Sequence, residues 1–443
     1  FEMAVIFVAA TNAMPTAIVY NSQVNISQKK FEGTKICPAF GKKKEFCGLK
    51  LKVFPRIINM GVATDVSRFE GVAMAPPDPI LSVSEAFRAD INDLKLNLGI
   101  GAYRTEYLQP YVLNAENLML QKGDNKEVFS ILVSQLLNLM LQKGDDKEYL
   151  PIEGLAAFNK VTAEFLLGAD NAAIKEGRVA TVQSISGSGA LRLATDFIQR
   201  HFPGEKVLIS SPTWGNHESI FDDSGVPWSE YRYYDPITGG LDFKGMLADI
   251  KAAPNGSFIL LHGCAHNPTG IDPTLEQWEK IADVIQEKKQ IAFFDVAYQG
   301  FGSGNPDEDA ASVRLFVDRG MEIFVAQSYS KNMGLYAERI GAINGVCSSS
   351  DTANRVKSQL KRLARPMYSN PPVHGARIVV NVVGNPAMFD EWKSEMALMV
   401  GRIKGVRQRL YDYLSAKDKS GKDWSFVLKQ IGMFSFTGLN KTQ

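Results

Sequence analysis

Across roughly residues 178–345, short apolar segments alternate with amphipathic ones, and this restricts the chain more than any other feature. Segments 179–183, 206–210, 257–262, 290–295 and 322–327 are apolar almost throughout, not at every second position. Such a strand has both faces covered, and helices between successive strands set them parallel. The expected fold is therefore α/β, a mostly parallel central sheet with helices on both faces. The intervening segments 190–201, 243–251 and 274–288 read as helices, the last capped by Thr274 with Glu276 early in it. In sheets of this class ligands collect beyond the carboxyl ends of the strands. Ser186, Trp214, Asn267, Asp295 and Lys331 fall at those ends.

The 443 residues allow a large core and more than one domain. With 45% hydrophobic and 22% charged residues and a net charge of +1, the composition is that of an ordinary soluble protein. Near-balanced charge argues against a nucleic-acid or membrane-surface partner, and no apolar run approaches the length of a membrane-spanning helix. Cys37, Cys47, Cys264 and Cys347 are widely spaced and match no zinc pattern, so neither a metal site nor a structural disulfide is expected. Residues 1–66 differ from the rest. They hold Lys29, Lys30, Lys35, Lys42, Lys43, Lys44, Lys50, Lys52 and Arg56 against few acids, the profile of a transit-peptide-like or disordered segment.

Lys331 stands just beyond the apolar run 322–327, flanked by Ser328, Tyr329 and Ser330 and followed by Arg339. A lysine so placed can carry the aldehyde of pyridoxal phosphate, with Ser328 and Arg339 binding the phosphate. Taken alone a lysine is usually a solvated charge, and the neighbouring candidates make the difference. Asp295 closes an apolar strand, where a carboxylate would keep the pyridine nitrogen protonated, and Tyr298 can donate to the phenolic oxygen. Asn267, in His266-Asn267-Pro268-Thr269-Gly270, can reach the same oxygen, although the segment also reads as a plain turn. Ser186-Gly187-Ser188-Gly189, between strand and helix, forms a phosphate cup. It is not a dinucleotide fingerprint, because Arg192 stands at the third glycine position. Trp214 is placed to stack on the ring, and His217 to stand behind Asp295.

The segments 328–339 and 365–374 carry a resemblance to the class I, fold type I aminotransferases that use pyridoxal phosphate, closest to the aspartate aminotransferases of plant organelles. The resemblance runs from about residue 67 to the last residue, broken around 115–137. It implies a large cofactor domain, a smaller α/β domain and a homodimer with shared active sites. It further implies that Ala75-Pro-Pro-Asp-Pro79 is an N-terminal arm and that 97–104 covers the substrate, with Gly101 contacting it. Tyr149 would reach the phosphate in the neighbouring subunit. Arg365 would cross the interface to grip a dicarboxylate side chain. The Asn267-Pro268 bond is expected to be cis. The implied reaction is ping-pong transfer of the amino group from L-aspartate to 2-oxoglutarate, giving oxaloacetate and L-glutamate. The implied location is an organelle, plastid first, with mitochondrion or cytoplasm as alternatives.

Two features depart from the family pattern. The segment 117–127 recurs at 138–148, an offset of 21 residues, with Asn125 replaced by Asp146. The expected domains are accordingly a transit-like segment 1–66, an arm and part of the small domain 67–119, and a duplicated insertion 120–148. A cofactor domain 149–398 and the start of an incomplete small domain 399–443 follow. The family also carries an arginine for the substrate's α-carboxylate beyond the position matched by Gln443. Read as written, the chain is expected to bind the cofactor and transaminate poorly. A non-catalytic paralogue able only to bind cofactor or dimerise stands as the alternative, and a nucleotide-binding dehydrogenase built on 186–189 ranks far behind.

Overall fold

The computed structural model describes residues 148–437, together with 7–8, 87, 90–92 and 103–105. Residues 12–79, which include the arm expected at 75–79, lie outside the described residues, as do Gly101 and both copies of the repeat apart from Glu148.

Seven strands build the central sheet: β1 (Val179–Ile185), β2 (Val207–Ser211), β3 (Trp228–Arg232), β4 (Phe258–His262), β5 (Ile291–Val296), β6 (Ile323–Ser328) and β7 (Ile340–Val346). Their spatial order is β1-β7-β6-β5-β4-β2-β3. All are parallel to their neighbours except β7, which runs antiparallel to both β1 and β6. The mostly parallel α/β sheet expected from the sequence is thus present, with β7 as an addition. Its sequence, Ile340-Gly-Ala-Ile-Asn-Gly-Val346, is not among the expected strands, and glycine and asparagine are poor strand formers. Buried hydrogen bonds compensate. Asn344 Nδ2 donates to Gln327 Oε1 in β6 at 3.1 Å, and Thr181 Oγ1 in β1 lies 2.8 Å from Asn344 Oδ1.

Helices cover both faces. On one side lie α2 (Ser186–His201), α3 (Asn216–Ser224) and the later α7 (Ser350–Tyr368); on the other lie α4 (Phe243–Ala252), α5 (Leu275–Glu287) and α6 (Ala311–Asp318). Successive residues of one strand enter opposite cores. Leu260 and Phe293 pack with Ile198, Phe221 and Leu360, while Leu261 and Phe294 pack with Ile250, Trp278 and Phe316. This double burial is why the central strands β4, β5 and β6 are apolar at nearly every position. Local chemistry sets the helix starts. Thr274 caps α5 in a box closed by the Gln277 side chain rather than by Glu276, and Ser349 caps α7 by accepting from Thr352 N–H. Helix α2 begins at Ser186, four residues earlier than the sequence pattern indicates, because its first turn is the small-residue run 186–189.

A third core joins α1 (Ala156–Leu167), α8 (His374–Gly384) and α9 (Pro386–Lys417) through Phe158, Phe165, Val379, Val382, Trp392 and Met396. The domain boundary expected after residue 398 falls inside α9, which is one continuous helix. Among the described residues no helix is long and apolar enough to cross a membrane.

Candidate active site

Register brings the strand ends together. His262 at the end of β4 pairs with Asp295 in β5, and Asp295 pairs with Ala326, two residues before the end of β6. Asp295 and the segment carrying Lys331 therefore share the carboxyl edge of the sheet. The amine of Lys331 lies 5.1 Å from the centre of the Tyr298 ring. Burial pushes the Lys331 pKa down against the opposing pull of Asp295, with Arg339 adding to the depression. Burial also drives the Tyr298 hydroxyl upward, aided by Tyr336 and Asp295, so it remains a proton donor.

Behind Asp295 runs a chain of hydrogen bonds whose direction can be read from one end. Asn267 N–H donates to His262 Nδ1 at 3.0 Å, so this nitrogen is an acceptor. Burial, reinforced by His217, pushes the His262 pKa down to about 3, so its ring is neutral and the proton sits on Nε2. That N–H faces Thr213 Oγ1 at 3.3 Å. The threonine hydroxyl then donates to His217 Nδ1 at 2.8 Å, leaving His217 Nε2–H to donate to Asp295 Oδ2 at 3.1 Å. Burial by itself raises the Asp295 pKa. The hydrogen bond from His217 outweighs it, holding the carboxyl below its ordinary value and the carboxylate ionised. His217 is fully buried and stands behind Asp295, as the sequence indicates. His262 and Thr213 escaped the sequence reading, though His262 ends an apolar strand just as the Asp295 segment does.

The serines form a cup at the start of α2. Ser186 Oγ is 2.8 Å from Ser330 Oγ and 3.2 Å from Ser328 Oγ. Arg339 reaches into it, its Nη1 3.4 Å from Ser330 Oγ and its Nη2 3.5 Å from Ser188 Oγ. Ser186 and Arg339 both adopt left-handed backbone, with φ of 61° and 55°, and Ser186 N–H donates to the Arg339 carbonyl at 3.1 Å. At Gly187 a Cβ would press on the Ser328 Cβ at 3.1 Å, so the cup wall closes around a residue without a side chain. Helix N-terminal N–H groups, hydroxyls and a guanidinium give this cup the chemistry to hold an anion. Ser330 joins the cup although the sequence singled out only Ser328.

Trp214 packs edge-on to His217, with ring centres 5.3 Å apart. Asn267 precedes a cis bond to Pro268, as expected. Tyr103, in the segment expected to cover substrate, donates its N–H to Tyr336 Oη at 3.0 Å. Tyr149 and Arg365 are not gathered into this site. Tyr149 is 84% exposed, and Arg365 is exposed near the end of α7 against Ser369 Oγ.

The chain matches the family model described as aminotransferase class I and II over residues 94–443. It is 73% identical over 399 residues to the chloroplastic aspartate aminotransferase of Arabidopsis thaliana, covering 89% of this chain and 83% of that one. It is 72% identical over 390 residues to the mitochondrial aspartate aminotransferase P2 of Lupinus angustifolius, covering 87% and 81%. Among solved structures it is similar to an aromatic-amino-acid aminotransferase from Burkholderia pseudomallei covalently bound to pyridoxal phosphate. That likeness has a TM-score of 0.77 and 40% identity, over 84% of this chain and 89% of the other. A basic strand-end lysine, an ionised acid braced by histidine and an anion cup thus sit within the matched region, and the chain belongs to the class I and II aminotransferases.

Proposed function

We propose that this chain is an aspartate aminotransferase that uses pyridoxal phosphate to exchange the amino group of L-aspartate with 2-oxoglutarate. The observation that carries the reading is the buried Lys331 amine facing Tyr298 and the charge of Asp295, in a chain so similar to plant aspartate aminotransferases.

The residues fit the cofactor. Among the described residues the buried Tyr298 hydroxyl has no hydrogen-bond partner, a costly state that a ligand oxygen would relieve. The cup of Ser186, Gly187, Ser188, Ser328 and Arg339 suits the phosphate, and Trp214 suits the face of a flat ring. When bound, the cofactor supplies a conjugated ring that takes up the electron pair left as the substrate's Cα–H bond breaks. Asp295 holds a proton on the ring nitrogen, its own charge maintained by the His217 N–H. Tyr298 and Asn267 would donate to the phenolic oxygen. Lys331, its pKa lowered by burial, would remove the proton from the substrate's Cα and restore it in the reverse half of the cycle.

The exposure of Tyr149 and Arg365 supports a homodimer in which each serves the neighbouring site, Tyr149 at the phosphate and Arg365 at the substrate's side-chain carboxylate. Gly101 would contact the substrate. The basic segment 1–66 and the organellar relatives support an organellar location, plastid before mitochondrion.

The test is oxaloacetate release by the purified, cofactor-loaded protein given L-aspartate and 2-oxoglutarate, beside L-phenylalanine as competitor substrate. Turnover favouring aspartate, abolished by Lys331→Ala, is expected. Absence of oxaloacetate, or a preference for phenylalanine, would reject the assignment.

A further inference from the structure

Tyr298 and Lys331 are each followed by a residue that takes no part in the site itself, Gln299 and Asn332, and these two are joined. Asn332 is 1% exposed, and its Nδ2 donates to the Gln299 carbonyl at 3.0 Å. Gln299 is fixed in turn, its Nε2 donating to the Phe165 carbonyl at 2.9 Å and the Pro306 carbonyl at 3.2 Å. From the other side, the carbonyl of Asn332 accepts the indole N–H of Trp392 at 2.7 Å, and Trp392 is fully buried in α9. The loop after Tyr298 folds tightly under this indole. Phe301 N–H donates to the Tyr298 carbonyl at 2.7 Å, and a Cβ at Gly300 would stand 2.9 Å from Trp392 Cη2. Burying an amide and an indole among apolar rings is costly unless their donors are used, and here both are spent on carbonyls beside the two candidate residues.

We infer that Asn332, held by Gln299 and Trp392, is a positioning residue that sets the distance between the Lys331 amine and the Tyr298 hydroxyl. The inference rests on the assignment of Lys331 and Tyr298 given above. Lysine has four freely rotating side-chain bonds, so its amine is only as well placed as the backbone it hangs from. The backbone on the amino side of Lys331 is fixed by the sheet, where Tyr329 N–H donates to the Ile340 carbonyl at 3.0 Å. On its carboxyl side the Asn332 links do the same. The clamp also ties the site to α1 and α9, so packing there reaches the Lys331 amine through hydrogen bonds rather than through contact.

The variants are Asn332→Ala, which removes the link to Gln299, and Trp392→Phe, which removes the indole donor and keeps an aromatic ring. In each, kcat for L-aspartate is expected to fall by roughly 10- to 100-fold, with KM changed less than about twofold, as for a misplacement of reacting groups. A second readout does not depend on turnover. The pH titration of the bound cofactor's absorbance should shift in both variants, because Lys331 moves relative to Tyr298, Asp295 and Arg339, the groups set against it, and Tyr298 is itself influenced by Tyr336. A purely structural role would instead lower thermal stability and leave the titration in place. Wild-type kcat and titration in folded Asn332→Ala or Trp392→Phe would overturn the inference. Borohydride reduction and peptide mapping of the wild type separate the two levels. Label on Lys331 supports the assignment beneath, whereas label on another lysine overturns both.

Discussion

Nε2 of His217 lies 3.1 Å from Oδ2 of Asp295, as the last link in a relay whose hydrogen bonds all point toward the carboxylate. The relay has no proton-rich end that could neutralise Asp295, because His262 is held neutral by burial. An acid at the end of a buried strand would otherwise take up a proton.

Asp295→Ala should therefore cost roughly 10²- to 10³-fold in kcat, the range seen when one preorganised electrostatic group is removed. Thr213→Val, which breaks the relay two links away, should give a smaller loss in the same direction. Steady-state kinetics with L-aspartate checks both. Equal losses would mean that the relay, and not the carboxylate, carries the effect.

Lys331 makes a prediction about stability. Its pKa in the folded protein is lowered from the ordinary 10.5, so the unfolded chain binds more protons through that window. Stability of the cofactor-free wild type then rises with pH across the window, and the penalty of burying the amine is full below the folded value. Cofactor-free Lys331→Met should be the more stable protein at neutral pH, with its advantage shrinking as pH approaches 10.5. Denaturant unfolding of both at a series of pH values reads this directly. A constant difference would show that the amine is solvated.

Arg339→Gln should loosen the cofactor. A hydrogen bond to a charged group contributes about 1.5–3 kcal/mol, which corresponds to roughly 10- to 100-fold in affinity for pyridoxal phosphate. Equilibrium dialysis measures it, and phosphate-free pyridoxal should be insensitive to the change.

Gly341→Ala tests the crossing of β7 beneath the cup. A Cβ at 341 would lie 2.4 Å from the Gln327 carbonyl oxygen and 2.6 Å from the Ser186 carbonyl carbon, both backbone atoms that cannot swing away. Destabilisation of about 1–3 kcal/mol is expected, visible as a lower denaturant midpoint, with weakened cofactor binding because Ser186 must move.

Much of this was legible in the sequence because apolar strands leave their polar ends conspicuous. Asp295, Lys331 and the run 186–189 come at or just after largely apolar segments, and the structure gathers them at one edge. What was hidden depended on long-range pairing. β7 carries Gly341, Asn344 and Gly345, and only its pairing with β1 and β6, joined by the contacts of Asn344 with Gln327 and Thr181, reveals it as a strand. Thr213 looks like any turn threonine until folding sets it between two histidines. Gln299 and Asn332 are single polar residues with no pattern of their own, and their role exists only in the hydrogen bond that joins them. Tyr149 and Arg365 stand apart in the isolated chain, so only the resemblance attaches them to the site.

The antiparallel course of β7 has a consequence for how the family can change. Residues 329–339 leave β6 and return as β7, and both feet of this loop are anchored in neighbouring rungs, Ser328 opposite Gly341. Lys331 and Arg339 ride on the same loop, so the span between amine and phosphate cup is gauged by the sheet like the jaws of a calliper. Adding or deleting one residue could not be absorbed by sliding either strand, since a one-residue slip would turn every inward side chain outward. Insertions should therefore accumulate almost anywhere in such a chain before they enter this loop.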